Sequence, residues 1–224
     1  KTRFGNLGNI LDFDNLTEEN IYVLDSPILT NSQFKKFKKF FTKKTKIIDC
    51  TFDISLSLKD RIEAIREEAE TAVREGSTCL ILSDKNISNQ KASIPSILTV
   101  GAIHSHLVKH GLRGYCSLNV ECSDALDTHS FAVLIGVGAT TVNPYLAIDS
   151  IYQRFEKKLF GKFIYDDCVE RFIKSVNLGL LKIMSKMGIS VISSYRGGCN
   201  FETVGLSRTI VNDFFPGVTS KISG

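Results

Sequence analysis

Thr78-Cys79-Leu80-Ile81-Leu82, residues 78–82, is a short apolar run between Gly76 and the polar string Ser83-Asp84-Lys85-Asn86. Short, apolar and bounded by turn formers, it predicts a strand buried on both faces, as in a parallel sheet covered by helices. Upstream, Lys46–Ile54 is rich in β-branched and aromatic residues and predicts another strand. Ser57 then stands as a cap, and Leu58, Ile62, Ile65, Ala69 and Val73 fall on one face of a helix that Gly76 ends. Downstream, Pro95 suits the first turn of a helix running to His110 and stopped by Gly111. Tyr115–Glu121 predicts a strand, Thr128–Gly136 an almost wholly apolar helix, and Ala139–Val142 a strand ending at Asn143-Pro144. A long helix from about Asp166 to Met187 ends at Gly188, and Ile189–Ile192 follows as a fifth strand.

Strands separated by helices predict an α/β fold with a parallel sheet and right-handed crossovers. A closed barrel of eight such units typically needs about 250 residues. The expected arrangement is therefore an open or partial TIM-barrel-like one. Ligands in such sheets sit at the carboxyl ends of strands, here Asp53, Ser83, Asp84, Glu121, Asn143 and Ser193.

The formal charge is +4, and seven lysines fall between Lys35 and Lys46, so the rest of the chain is mildly acidic. Phe34, Phe37 and Phe41 recur at helical spacing among those lysines, which predicts a short amphipathic helix with a basic, solvated face. One such run without further basic stripes does not point to a nucleic-acid or membrane partner. The start lacks a signal-peptide pattern. No apolar run approaches the roughly 20 residues of a bilayer span; the longest is Phe131–Ala139. Cys50, Cys79, Cys116, Cys122, Cys168 and Cys199 form no Cys-x-x-Cys pair, and their spacing matches neither zinc nor iron–sulfur motifs. They are expected as reduced thiols in a reducing compartment.

Three groups of residues offer chemistry. His104, His106 and His110 lie on one helix, and only His106 and His110 share a face. That spacing suits a metal, but His-Glu-x-x-His is absent, and a histidine beside a C-terminal glycine complements the helix dipole. Ser83-Asp84-Lys85-Asn86 puts a carboxylate and a lysine at a strand end, either for acid–base work or as a closing turn. Tyr195-Arg196-Gly197-Gly198 either cradles phosphate or makes a tight turn. No Gly-x-Ser-x-Gly elbow is present.

The strings Ile81–Asn86, Ile94-Pro95, Val100–His104, Gly111-Leu112-Arg113, His129–Ala132, Gly136–Ala139 and Asn143–Ala147 resemble, in order, the large subunit of glutamate synthase. The match is strongest at Gly179–Ser190, then Ser194-Tyr195-Arg196-Gly197 and Phe201–Leu206. The opening, Arg3–Leu11, looks closer to the ferredoxin-dependent type. One departure stands out: where the family has Arg-Gly-Ala-Gln, this chain has Arg196-Gly197-Gly198-Cys199-Asn200.

The resemblance implies the central domain of that subunit. The complete enzyme makes two L-glutamate from L-glutamine, 2-oxoglutarate and a reductant. An amidotransferase domain releases ammonia, and a barrel domain with FMN and an iron–sulfur cluster performs the reductive amination. The central domain lies between them as a degraded barrel and helps shape the ammonia route. On this basis residues 1–45 are an N-terminal extension with the basic helix, and 46–224 the α/β domain, ending where the flavin domain begins. No catalytic, cofactor-binding or metal residue is carried over. Ser194, Tyr195, Arg196 and Gly197 are expected at the interface with the flavin domain. Implied partners are the amidotransferase and FMN domains of the same polypeptide, with ferredoxin or a NAD(P)H-oxidising small subunit as electron source, in the cytoplasm or plastid stroma. The alternative is a free-standing α/β binding module.

Overall fold

The computed structural model describes residues 1–4 and 22–222; most of the Arg3–Leu11 string lies outside them. In chain order the elements are β1 (Thr2–Phe4), β2 (Tyr22–Leu24), α1 (Asn31–Phe40), β3 (Thr45–Asp49), β4 (Thr51–Asp53), α2 (Leu58–Arg74), β5 (Cys79–Ser83), β6 (Lys91–Ser93) and α3 (Ser96–Lys109). They continue with β7 (Ser117–Glu121), α4 (Thr128–Val137), β8 (Thr141–Asn143), α5 (Tyr145–Glu156), α6 (Tyr165–Lys186), α7 (Ile192–Tyr195), β9 (Glu202–Val204), α8 (Arg208–Phe214) and β10 (Thr219–Ile222).

The main sheet is four-stranded and parallel, in the order β3-β5-β7-β8. Sequential neighbours joined by same-handed crossovers put every connecting helix on one face. Alternation along the strands confirms it. Ile48, Leu80, Leu82, Leu118, Val120 and Val142 share one buried cluster with Ile65 of α2, Ile103 of α3 and Phe131 of α4. The opposite face carries Cys79 and Ile81, which pack with Phe34, Phe37 and Phe41 from α1 and the residue after it. So α1 occupies the side that would be the lumen of a closed barrel. Its start is fixed by a capping box between Thr30 and Gln33. The segment before it runs beside β8, with Val142 N donating to Pro27 O at 2.8 Å and Leu29 N to Val142 O at 2.9 Å.

Under α1 the face turns polar. Asn119 is fully buried; its Nδ2 donates to Ser117 Oγ (2.9 Å) and Leu80 O (3.2 Å), and its Oδ1 accepts from Thr141 Oγ1 at 2.7 Å. These bonds satisfy an amide that would otherwise be costly to bury.

Two expectations need correction. Lys46–Ile54 is not one strand: it breaks at Cys50, and β4 turns away to pair antiparallel with β6. The expected fifth strand, Ile189–Ile192, is not a strand. Gly188, at φ 70, closes α6, Ile189 N returns to Met184 O at 2.9 Å, and the chain enters the single turn α7. Ile189 and Ile192 are apolar because they pack on the helical side of the core, and a short apolar run does not distinguish those roles. After Asn143-Pro144 the chain also forms α5, which starts directly after Pro144.

The C-terminal arm is held by close approach. At Gly101 of α3 an added Cβ would lie 2.5 Å from Phe215 Cε1 and 2.8 Å from Phe214 O. Gly101→Ala is therefore expected to destabilise the chain by about 1–3 kcal/mol through overpacking, measured by urea unfolding. An unchanged midpoint would show that the arm is free to move off α3.

Candidate functional site

The carboxyl ends of the four parallel strands present Asp49, Ser83, Glu121 and Asn143 side by side. Glu121 is the centre. Its side chain is 4% exposed and takes ion pairs from Lys85 at 2.9 Å and Lys38 at 3.1 Å. Ser83 Oγ donates to it at 2.8 Å. Burial pushes its carboxyl up, but the hydrogen bonds from Lys85 and Ser83 and the Lys38 charge outweigh that and hold it below the ordinary 4.5.

The Ser83-Asp84-Lys85-Asn86 string is a set of cross-links between strand ends. Ser83 and Lys85 hold Glu121 of β7. Asp84 Oδ2 accepts from Ser123 N at 2.9 Å and Ser123 Oγ at 2.6 Å. Asn86 Nδ2 donates to Asp49 Oδ2 at 3.0 Å. Asp49 also accepts from Thr51 N and Oγ1. Burial raises its pKa, but these bonds and Lys91 bring it below the ordinary value. Asn143 Nδ2 donates to Leu29 O and Asn31 Oδ1, both at 3.0 Å. Among the described residues, Asp84 Oδ1 is the buried carboxylate oxygen without a hydrogen-bond partner. The nearby Tyr145 hydroxyl is pushed up by burial and by the Asp84 charge. Asp53 sits on β4, off the main sheet, and binds Ser55; Ser193 lies in α7 and ends no strand. Glu121 and Asp49 at the sheet edge are thus held by side chains of their own domain, an arrangement that suits closure of the sheet end more than proton transfer.

Lys38 departs from the solvated face expected of the basic run. Lys35, Lys36 and Lys39 are exposed, whereas Lys38 reaches over Phe34 to Glu121.

The opposite, amino-terminal end of the sheet carries the Tyr195-Arg196-Gly197-Gly198 turn. Tyr195 does not face outward as expected: it is 2% exposed, and its hydroxyl donates to Ala132 O at 3.1 Å. A bulky aromatic beside α4 fills the domain's own core. Arg196 Nε donates to Ala139 O at 3.1 Å. Gly197, at φ 70, donates its N–H to Gly136 O at 2.7 Å, and Gly198 N–H goes to Tyr195 O at 3.2 Å. With both amides used, the turn offers no phosphate cradle. Asn200 Nδ2 donates to Tyr195 O at 3.3 Å. Ser194 and Gly197 are exposed.

Arg196 has a like-charged neighbour. Arg113 donates from Nε to His104 Nδ1 at 3.0 Å, from Nη1 to Cys116 O at 2.6 Å and from Nη2 to Gly138 O at 2.8 Å. An arginine only donates, so His104 Nδ1 is unprotonated. Burial first, then the charges of Arg113 and Arg196, pull the His104 pKa down to about 4. Burial and Arg113 bring Arg196 down to about 10. Among the described residues no carboxylate pairs with either guanidinium, and the two Nη groups of Arg196 have no hydrogen-bond partner.

His106 and His110 lie elsewhere, on α3 facing Glu70 of α2. The spacing identified the pair; nothing local to it signals Glu70. Five of the six cysteines are buried. Burial raises the thiols of Cys50, Cys79, Cys116 and Cys122, which disfavours the thiolate an iron–sulfur cluster requires. Among the described residues no helix is long and apolar enough to cross a membrane.

A family model described as the glutamate synthase central domain matches residues 1–207. The large chain of NADPH-dependent glutamate synthase from Azospirillum brasilense is 50% identical over 227 residues, covering 100% of this chain and 15% of that protein. The corresponding Bacillus subtilis chain is 40% identical, covering 90% of this chain and 13% of its own length. Ferredoxin-dependent glutamate synthase 1 of Arabidopsis thaliana is 37% identical, covering 100% and 15%. The chain therefore spans about 15% of the length of such relatives.

Replacing Lys35, Lys36 and Lys39 by Gln together is expected to leave the unfolding midpoint in place. Lys38→Gln is expected to cost about 1–2 kcal/mol, because it strips a cation from a buried carboxylate. Glu121, with its pKa lowered in the fold, contributes fully above the ordinary 4.5 and loses that contribution as pH falls through its lower folded value. The stability gap between wild type and Glu121→Gln should accordingly narrow below that pH in urea titrations. A gap that widens on acidification would contradict the pairing.

Proposed function

The chain belongs to the glutamate synthase central domain family, and on that premise we propose that it is a structural domain that performs no chemistry of its own. It stands between an amidotransferase domain and an FMN domain of one polypeptide and helps form the route that ammonia takes between them. The parent reaction is L-glutamine plus 2-oxoglutarate plus reductant to two L-glutamate, with ferredoxin or a NAD(P)H-oxidising small subunit as electron source, in a cytoplasm or plastid stroma. The observation that carries the non-catalytic reading is the sheet's carboxyl edge. In α/β proteins that edge binds ligands, yet here Glu121 is neutralised by Lys38 and Lys85 of the same chain.

The cofactors belong to other domains in this reading. FMN and the iron–sulfur cluster supply electron transfer where they bind. The residues present here do not fit either group: the thiols are separate and mostly buried, and the glycine turn at 197–198 has used its amides.

The surface proposed to meet the flavin domain is Ser194, Gly197 and the outer end of Arg196. Tyr195 supports it from within by anchoring the turn to α4. A guanidinium that uses only Nε within its own domain among the described residues, beside Arg113, favours a carboxylate or carbonyls across a contact.

Purified alone, the chain is expected to be colourless; stoichiometric flavin or iron–sulfur absorbance would place a cofactor in this segment and overturn the proposal. In the full-length polypeptide, Arg196→Ala is expected to leave glutaminase and synthase activities intact when each is assayed separately. Glutamate formed per glutamine hydrolysed should fall, with coupling weakened by about fivefold or more. Wild-type activities in a wild-type ratio would remove Arg196 from the interface.

A further inference from the structure

We propose that Glu70, His106 and His110 form a divalent transition-metal site that clips α2 to α3. One ring nitrogen of each histidine and a carboxylate oxygen of Glu70 all lie within 4.8 Å of one another, and among the described residues this is the one such group. Histidines at i and i+4 on α3 place both rings on one face; their centroids are 4.3 Å apart. The third ligand comes from the neighbouring helix, so the site exists only in the folded packing of α2 on α3.

The orientation of two of the three ligands, His110 and Glu70, is already set by a second partner. The carbonyl of His106 can only accept, so His110 Nδ1–H donates to it at 2.8 Å, which leaves the Nε2 lone pair turned toward Glu70. Arg74 holds Glu70 Oε1 through Nε and Nη2, both at 2.8 Å. That leaves Oε2 for the histidines, and it keeps the carboxyl ionised, since the Arg74 and His106 hydrogen bonds lower its pKa. Backbone carbonyls and charged side chains commonly fix metal ligands in this way. Oε2 lies 2.6 Å from His106 Nε2 and 3.9 Å from His110 Nε2. Tetrahedral zinc with bonds of about 2.0–2.1 Å separates its ligand atoms by about 3.3 Å, between those two distances. A metal would take the place of the proton that His106 Nε2 now shares with Glu70, and that proton would leave to solvent. Two imidazoles and a carboxylate suit Zn(II), Ni(II) or Co(II), with water completing the sphere.

The test is calorimetric titration of the EDTA-stripped chain with ZnCl2 and NiCl2, with visible spectra of the Co(II) adduct. One ion per chain is expected, with a rise in thermal midpoint on metal addition. His106→Ala, His110→Ala and Glu70→Gln should each weaken binding by about tenfold or more, while His129→Ala, an exposed histidine on α4, should not. The Co(II) spectrum should show d–d bands without thiolate charge transfer. Thiolate bands would assign the ion to Cys199 and overturn the proposal, as would wild-type affinity in all three ligand variants or no binding by wild type. The wild-type Co(II) spectrum decides the matter even if a variant folds poorly.

Discussion

A buried carboxylate with two lysines fixes how this domain is closed. Glu121 ends the third strand of the main sheet, and the cations that reach it come from α1 and from the turn after β5. Without such partners an ionised group this deep would be strongly unfavourable. The pairing therefore couples three separate pieces of chain. It also requires α1 to lie across the sheet face in one register, because Lys38 lies among the phenylalanines that fill the apolar part of that face. The face of the sheet opposite the crossover helices is thus occupied by a helix of the same chain.

Much of the scaffold was legible because its signals are local. The run at 78–82 is buried as a central strand should be, and the capping Ser57, the apolar face of α2 and the stop at Gly111 all follow from spacing and turn chemistry. Failures came where tertiary context decides. Ile189–Ile192 has a strand's composition but no neighbouring strand to pair with, and packing on the core claims it as turn and helix. Lys46–Ile54 has no local mark at Cys50 to announce that the chain leaves one sheet for another.

The site residues were legible by identity and not by role. Asp84, Lys85 and Asn86 stand where expected, yet sequence could not show that each faces an adjacent strand end of its own sheet. Arg196 was marked by the string around it. Its companion Arg113, and the neutral His104 against which Arg113 packs, are distant in sequence and meet only through the fold. The same holds for Glu70, separated from its histidines by the rest of α2 and the strands β5 and β6.

Strand order has a consequence for how the domain is made. Each strand of the sheet pairs with the one synthesised before it, in the series β3, β5, β7, β8. A chain emerging from the ribosome can therefore add one β-α unit at a time to a template already in place, with no strand waiting for a later one to be inserted between. The helix that covers the far face precedes all of them, so the polar layer around Asn119 is sheltered as soon as its strand docks. Growth proceeds from one edge, and the last strand laid down, β8, meets the segment Pro27–Leu29 that left the ribosome before the sheet began.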